Sequence, residues 1–236
     1  MSLYATLVEP IGRITVRRIV IGVNWTMVEA ESGCGLAQTP RRDSPGCQPI
    51  DGAGKLSTRD LRTLAELVYS SNPMEAILGM AAINAFHNRA DAGGSAENGL
   101  AAFTDAHGPV IVVGRFPGLD KYIREYRIVE REPRPDEFPE SAFADLVKES
   151  AGIIITASSL GNKSAEAMFE LARGKRIAIV GPGTPLAPSL HASGVEVLAG
   201  SVVRDADLAA TIVAQTGGAA ALKQACRYVT LRAPRP

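Results

Sequence analysis

Apolar and polar positions follow different patterns in the two halves of the chain. The first half opens with a run rich in β-branched residues, ITVRRIVIGVNWTMVEA, followed by the turn ESG and the shorter run CGLAQT. This order predicts a β-hairpin. Two segments with helical spacing follow, STRDLRTLAELVYSS and PMEAILGMAAINAFHNR, and the second is apolar nearly all round, which predicts a buried helix. Strands followed by helices are typical of an α+β unit, which we predict for residues 1–100.

The second half repeats a shorter pattern after a small-residue joint, ADAGGSAENG. Five apolar runs, PVIVVG, RIVERE, GIIITAS, RIAIVG and VEVLAG, alternate with segments of helical pattern, GLDKYIREY and PLAPSLHAS among them. Short apolar runs are typical of parallel strands buried on both faces. The sequence therefore predicts an α/β fold in which the small α+β domain precedes a doubly wound parallel sheet, residues 101–236. In such sheets the carboxyl ends of the strands form the ligand crevice.

Charge and composition narrow the classes of partner. The 236 residues contain 25 Lys plus Arg and 25 Asp plus Glu, so the formal net charge is zero. The positive field that nucleic-acid binding needs is missing, and we expect no nucleic-acid partner. No apolar run approaches the roughly 20 residues needed to cross a bilayer, and no leader pattern opens the chain, so we expect a soluble, cytoplasmic protein without a membrane partner. Three widely separated cysteines, Cys34, Cys47 and Cys226, favour a reducing compartment.

Charged residues follow the first two predicted strands of the second half. Arg115 in GRFPG can bind an anion, and a tight turn with an exposed arginine is an equal alternative. Glu130 or Glu132 in EREP can bind ribose hydroxyls, with a solvated strand end as the alternative. The full G-x-G-x-x-G fingerprint is absent, which weakens the hypothesis of a dinucleotide site.

Uncharged polar residues and glycines follow the next two strands. The segment TASSLGNKSAE crowds hydroxyl and amide side chains ahead of a helix, which favours a polar small molecule, although helix capping needs one of them. The loop GPGTP is stiffened by proline, and its backbone can lie flat against a ligand; closing a turn is its ordinary structural role. The polar residues crowded in the first loop are Thr156, Ser158, Ser159, Asn162, Lys163 and Ser164, and Thr184 in the second loop can cap the helix that follows.

Several stretches together resemble one known family. VGRFPGLDKYIREYRIVERE, GIIITASSLGNKSAEAMFELARG and IAIVGPGTPLAPSLHASGVEVLAGSVVRD are similar to the "putative heavy-metal chelation" domain family. VRRIVIGVNWTMVEAESGCGLAQTP and NPMEAILGMAAINAFHNR resemble the small domain that precedes it in those proteins. The resemblance implies an enolase N-terminal-like domain followed by a Rossmann-like domain, with a ligand site between them. The implied site residues are Arg115, Glu130, Thr156, Ser159, Asn162, Ser164, Gly181, Gly183 and Thr184, faced by Asn84 and Gly35 from the first domain.

The metal expected from this resemblance has no local motif in the sequence. Transition metals prefer gathered thiolates and imidazoles, and the chain contains neither C-x-x-C nor H-x-x-x-H. Cys34 and Cys47 meet only if the loop between them folds back. We therefore expect a small-molecule or metal-chelate ligand that is anionic and pairs with Arg115. A transition metal would then be bound as part of a metal-organic chelate and not as a bare ion.

Two other functions stay open at this point. One is an enzyme that acts on a nucleotide-like or small-acid substrate in the same cleft, with Glu130 as ribose partner or general base. The other is an interaction module in which the apolar helix of residues 73–88 belongs to a subunit interface. In this hypothesis the chain associates with itself as a homodimer.

Overall fold

The structure, a computed structural model, describes residues 2–40 and 49–234. Within these residues the α-helices are α1 Leu3–Val8, α2 Leu61–Ala65, α3 Pro73–His87, α4 Phe143–Leu146, α5 Ser158–Gly161, α6 Ala165–Leu171, α7 Ala206–Ala214 and α8 Ala219–Leu222. The strands are β1 Val16–Ile21, β2 Trp25–Ala30, β3 Gly33–Gln38, β4 Val110–Val113, β5 Tyr126–Glu130, β6 Phe138–Pro139, β7 Gly152–Thr156, β8 Arg176–Val180, β9 Val195–Val203 and β10 Cys226–Arg232. Short 3₁₀ helices are Leu56–Thr58, Glu66–Tyr69, Gly99–Phe103, Leu119–Lys121, Glu140–Ala142, Val147–Glu149 and Pro188–Ser193.

The N-terminal half is built on a small antiparallel sheet in the order β1-β2-β3. The sheet therefore has three strands where the sequence predicted a two-stranded hairpin. A turn over residues 22–24 divides the β-branched run into two strands, and the Gly22 N–H donates to the Trp25 carbonyl at 2.9 Å. Helix α3 packs against β2 and β3, and α7 from the C-terminal half packs against β1 and β2. Helices from both halves of the chain thus contact this sheet.

Helix α3 is the buried helix that the sequence predicts. Asn72 accepts a hydrogen bond from the Met74 N–H at 2.9 Å, and Pro73 supplies the fixed φ of a first helical residue. Every residue from 76 to 85 is buried. The helix preceding it in the sequence is shorter than predicted, because α2 passes into a 3₁₀ helix at Glu66.

The C-terminal half forms a seven-stranded sheet in the order β10-β9-β8-β7-β4-β5-β6. All neighbouring pairs are parallel except β9 and β10, which are antiparallel. The chain winds outward from β4 through β5 to β6, then returns to β7 and winds the other way. The predicted doubly wound α/β fold is confirmed, and the winding reverses between β4 and β7. Ligands bind at such reversal points because the flanking loops diverge there.

The five predicted strands are confirmed as β4, β5, β7, β8 and β9, but β5 is not a buried strand, since Val129 is the one buried residue among its five. Two helices between the strands are not formed as predicted. GLDKYIREY contains only the 3₁₀ turn Leu119–Lys121, because the chain re-enters the sheet at Tyr126. PLAPSLHAS forms the 3₁₀ helix Pro188–Ser193. Beyond these five strands, residues Cys226–Arg232 add the antiparallel strand β10 to the sheet.

The main apolar core joins the two halves of the chain. It extends from Leu7 and Ile83 in the first half to Ile155 and Leu198 in the second.

The division into two domains at residue 100 stays a prediction, as do the cytoplasmic location and the homodimer. Within residues 2–40 and 49–234, none of the helices combines the length and the apolar character that crossing a membrane requires.

Candidate functional site

Three of the predicted candidate loops meet at the carboxyl edge of the large sheet. Gly114 follows β4 with a φ of 102°, and a Cβ atom added there would lie 3.0 Å from the Thr156 side chain at the end of β7. A Cβ atom added at Gly181, after β8, would lie 3.3 Å from the Cβ atom of Ala157. These contacts place the ends of β4, β7 and β8 side by side at the reversal of the winding. Sequence order alone had predicted this edge as the ligand crevice.

A pocket of about 30 Å³ lies where this edge meets the N-terminal half. We call it the strand-end pocket. One wall comes from the small sheet and α3, and the other comes from the loops after β7 and β8. No lining residue carries a charged side chain. The lining residues are Trp25, Ala37, Gln38, Ile77 and Met80 on the first wall and Thr156, Ala157, Ser158, Gly161, Gly181, Pro182 and Gly183 on the second.

Two hydroxyl groups, with the Gln38 carboxamide, are the polar side-chain groups of the pocket lining apart from the Trp25 indole N–H. Thr156 is the last residue of β7 and Ser158 is the first residue of α5. The Ser158 hydroxyl donates to the Thr156 hydroxyl oxygen at 3.3 Å. This long hydrogen bond leaves further donor and acceptor capacity on both groups, since a hydroxyl has one hydrogen and two lone pairs. The pocket therefore offers hydroxyl groups and backbone on one wall, and mainly apolar side chains with one carboxamide on the other.

The loop of residues 181–186, which carries the sequence GPGTPL, is held by side chains from both halves of the chain. The Asn84 amide donates to the Gly183 carbonyl at 2.9 Å and to the Leu36 carbonyl at 2.7 Å. The Asn88 amide donates to the carbonyls of Thr184 (2.9 Å) and Ser201 (3.0 Å), and its oxygen accepts from the Leu186 N–H (2.8 Å). In addition, the Ser201 hydroxyl donates to the Pro182 carbonyl at 2.8 Å.

This carboxamide clamp, defined as Asn84 and Asn88 on the loop of residues 181–186, fixes one wall of the strand-end pocket. Both side chains are almost fully buried, at 0% and 2% exposure. Of the predicted site residues, Thr156, Gly181 and Gly183 line the pocket, while Thr184 and Asn84 lie behind its wall. The loop thus presents backbone to the pocket, as the sequence predicted, and is held in place by α3.

Gly35 lies against α3 and not in the pocket lining. A Cβ atom added there would be 2.1 Å from the Ala85 nitrogen and 2.2 Å from the Ala81 carbonyl oxygen. Only glycine permits β3 and α3 to approach so closely. Gly35 therefore affects the pocket indirectly. It lets β3 pack closely on α3, and β3 supplies Ala37 and Gln38 to the pocket lining.

Arg115 is already paired with a carboxylate of the protein. Its Nε and Nη2 atoms donate to the two carboxylate oxygens of Glu137, at 2.8 and 2.5 Å, and Nη2 also donates to the Glu132 carbonyl at 2.8 Å. Glu130 lies 3.7 Å from Nη1. The hydrogen bond from Arg115 lowers the pKa of Glu137 from its ordinary 4.5 to about 2. The proposed anion partner and the proposed ribose partner thus belong to one ion-pair cluster, and neither is among the residues that line the pocket.

The remaining predicted residues after β7 have local roles. Ser159 is buried in α5 at 2% exposure. The Asn162 side-chain oxygen accepts from the Ser164 N–H at 3.0 Å and from its hydroxyl at 2.7 Å, which closes an Asx turn before α6. Between them, Lys163 donates to the Ser70 carbonyl at 2.5 Å and to the Tyr69 carbonyl at 3.2 Å. This short segment therefore attaches the second half of the chain to the first.

The described residues do not fit a bare heavy-metal ion. No group of three or more His, Cys, Asp and Glu that could hold one occurs within residues 2–40 and 49–234. Burial raises the pKa of the Cys34 thiol and raises that of Cys226 to about 11, so both stay protonated near neutral pH. One ring nitrogen of His87 is hydrogen-bonded to the Leu7 carbonyl, and one ring nitrogen of His191 is hydrogen-bonded to the Val195 carbonyl. Whether Cys34 and Cys47 meet is a question outside these ranges, because Cys47 is not described.

Sequence reasoning missed Trp25, Met80 and Asn88. The two apolar residues look like ordinary core positions, and nothing local distinguishes them. Asn88 had a signal: it stands four residues after Asn84, at the end of the largely apolar segment that forms α3. Two such polar side chains on a buried segment require partners from another part of the chain.

Comparisons with known proteins agree over the whole chain. A family model, DUF364, described as "Putative heavy-metal chelation", matches residues 101–232, and a second model with the same description, DUF4213, matches residues 4–87. The chain is similar, at 29% identity and a TM-score of 0.86, to the crystal structure of a DUF364 family protein of unknown function from Desulfitobacterium hafniense DCB-2. That alignment covers 98% of this chain and 97% of the other.

A second solved structure, at lower identity, has the same fold. It is a DUF364 family protein of unknown function from Pyrococcus horikoshii, with 19% identity, a TM-score of 0.80 and coverage of 97% of each chain. A search of curated proteins gives no match.

Proposed function

Because the chain belongs to the DUF364 family, described as "Putative heavy-metal chelation", we propose that it handles heavy metal as a small complex whose organic groups hold the ion. A small part of the complex enters the strand-end pocket, and the rest lies outside it, because the pocket volume of about 30 Å³ is close to that of one water molecule. The observation that carries this proposal is the pocket lining, which joins both halves of the chain at the carboxyl ends of β7 and β8 and contains no charged side chain.

The chemistry of the described side chains supports a ligand-held metal over a bare ion. A soft cation needs several thiolate or imidazole ligands within bonding distance, and the described residues offer no such group. An organic ligand supplies those donors itself. The protein then needs only to bind the outer surface of the complex, for which hydroxyl groups, backbone groups and apolar side chains are suited.

The lining also indicates which end of the ligand enters the pocket. Burying a charged group without a partner is costly, and the pocket presents none of opposite sign. We therefore assign the pocket to an uncharged end of the ligand, which contacts Trp25 and Met80 on one side and the Thr156 and Ser158 hydroxyls on the other. An anionic part bound by Arg115, as the sequence predicts, must compete with Glu137 for the guanidinium group.

Removing the two pocket hydroxyls tests the proposal. The double variant Thr156→Val with Ser158→Ala changes little volume, and we expect it to bind the ligand about thirtyfold more weakly and to lose most of it during purification, because each of the two lost hydrogen bonds costs about 1 kcal/mol. Native mass spectrometry and elemental analysis of gently purified protein are the measurements. The wild-type chain is expected to carry an organic adduct together with metal.

The matched control removes two exposed hydroxyls away from the pocket, in the double variant Ser57→Ala with Thr58→Val. Its adduct should equal that of the wild type. Metal retained without any organic mass, and equally in both double variants, would contradict the proposed function.

A further inference from the structure

Two fully buried polar atoms behind the pocket wall have no hydrogen-bond partner among residues 2–40 and 49–234. They are the side-chain oxygen of Asn84 and the hydroxyl oxygen of Thr184. Both residues are 0% exposed. Buried polar groups in proteins are nearly always satisfied by protein or by an internal water, so each of these atoms calls for an explanation.

The orientation of the Asn84 carboxamide is fixed by its other end. Its nitrogen faces two backbone carbonyls, those of Leu36 and Gly183. A carbonyl oxygen only accepts hydrogen bonds, so turning the amide over would place oxygen against oxygen twice. The Asn84 oxygen must therefore face away from these carbonyls, and it can be satisfied only by a donor.

The backbone of Thr184 is held on both sides by the clamp. Asn84 binds the carbonyl of Gly183, which precedes Thr184, and Asn88, the C-cap residue of α3, binds the carbonyl of Thr184 itself. The Thr184 residue therefore lies between the two carboxamides. A hydroxyl both donates and accepts, which makes it a suitable second partner for a bridging molecule.

We propose that one buried water molecule bridges the Asn84 oxygen and the Thr184 hydroxyl. The water donates to the Asn84 oxygen and accepts from the Thr184 hydroxyl. Both atoms are closed off from solvent, so a molecule of water size is the occupant. The bridge completes the carboxamide clamp, because it ties the side chain of the loop, as well as its carbonyls, to α3. This inference is independent of the ligand assigned to the strand-end pocket.

Replacing the hydroxyl by a methyl group tests the bridge. Thr184→Val keeps the shape of the side chain and removes the donor, and it leaves the water with a lost partner in a closed site. We expect the equilibrium constant for unfolding to rise about tenfold, as measured by chemical denaturation. An unchanged or smaller unfolding constant would overturn the proposal, because removing a hydroxyl without a partner relieves a desolvation penalty.

A matched variant calibrates the measurement. Thr230 is also buried, at 3% exposure, and its hydroxyl donates to the Glu97 carbonyl at 2.7 Å. Thr230→Val should raise the unfolding constant in the same direction, which shows that the assay detects one lost hydroxyl hydrogen bond.

A crystal structure of the wild-type chain is the second readout, and it does not depend on how any variant folds. Density for one water about 2.8 Å from both oxygens is expected. A direct hydrogen bond between the two side chains, or an ion in place of water, would overturn the proposal.

Discussion

Replacing Gly35 by alanine is expected to lower the free energy of unfolding by at least about 3 kcal/mol. The new Cβ atom would lie 2.1 Å from the Ala85 nitrogen and 2.2 Å from the Ala81 carbonyl oxygen. Both are backbone atoms of the buried part of α3, so neither can move aside as a flexible side chain does. Strand β3 must separate from α3 to relieve the clash, and buried apolar contacts are lost with it. Chemical denaturation of the purified variant measures the effect.

Gly12 provides the matched control for this substitution. A Cβ atom added there meets nothing within 4 Å. Gly12→Ala should change the free energy of unfolding by less than about 1 kcal/mol. A Gly35→Ala variant as stable as Gly12→Ala would show that β3 and α3 are not in the close contact described.

The second large effect is expected for Asn88→Ala, at roughly 3 to 5 kcal/mol of lost unfolding free energy. The substitution leaves the carbonyls of Thr184 and Ser201 and the N–H of Leu186 without their partner. All three hydrogen bonds are buried, so water cannot readily replace the carboxamide. Denaturation gives the magnitude, and amide hydrogen exchange should show faster exchange at Leu186 before the sheet itself opens.

Asn24→Ala is the control, because the Asn24 amide makes an exposed hydrogen bond to the Thr216 carbonyl at 2.6 Å. It should cost less than about 1 kcal/mol. If Asn88→Ala were equally mild and left Leu186 exchange unchanged, the carboxamide clamp would not fix the loop.

The sheet could be predicted from the sequence because buried parallel strands have a local signature. GIIITAS and RIAIVG are continuous apolar runs, and these became β7 and β8. The structure of the segments between strands was harder to predict. A pattern of nine residues can favour a helix locally, but the chain must also span the distance to the next strand, and this leaves too few residues for the helix. GLDKYIREY kept only one 3₁₀ turn, because β5 begins at its last residue, Tyr126.

The site could be predicted only in part, for a related reason. The rule that ligands bind at the carboxyl ends of parallel strands located Thr156, Gly181 and Gly183 near one another. It could not locate Trp25 or Met80, because their contact with that edge depends on how the two halves of the chain pack. The pairing of Arg115 with Glu137, 22 residues apart, likewise depends on two loops whose paths the sequence does not specify.

The measurement that tests the central claim most directly is a calorimetric titration of the chain after it has been stripped of metal and small molecules. Cd²⁺ alone is added first, and Cd²⁺ mixed with the small-molecule fraction released from the gently purified protein is added second. The account predicts saturable binding of about one equivalent only in the second titration, because the organic groups hold the ion and the strand-end pocket holds the organic groups. Tight binding of one equivalent of Cd²⁺ alone would contradict it, since protein side chains would then be the metal ligands.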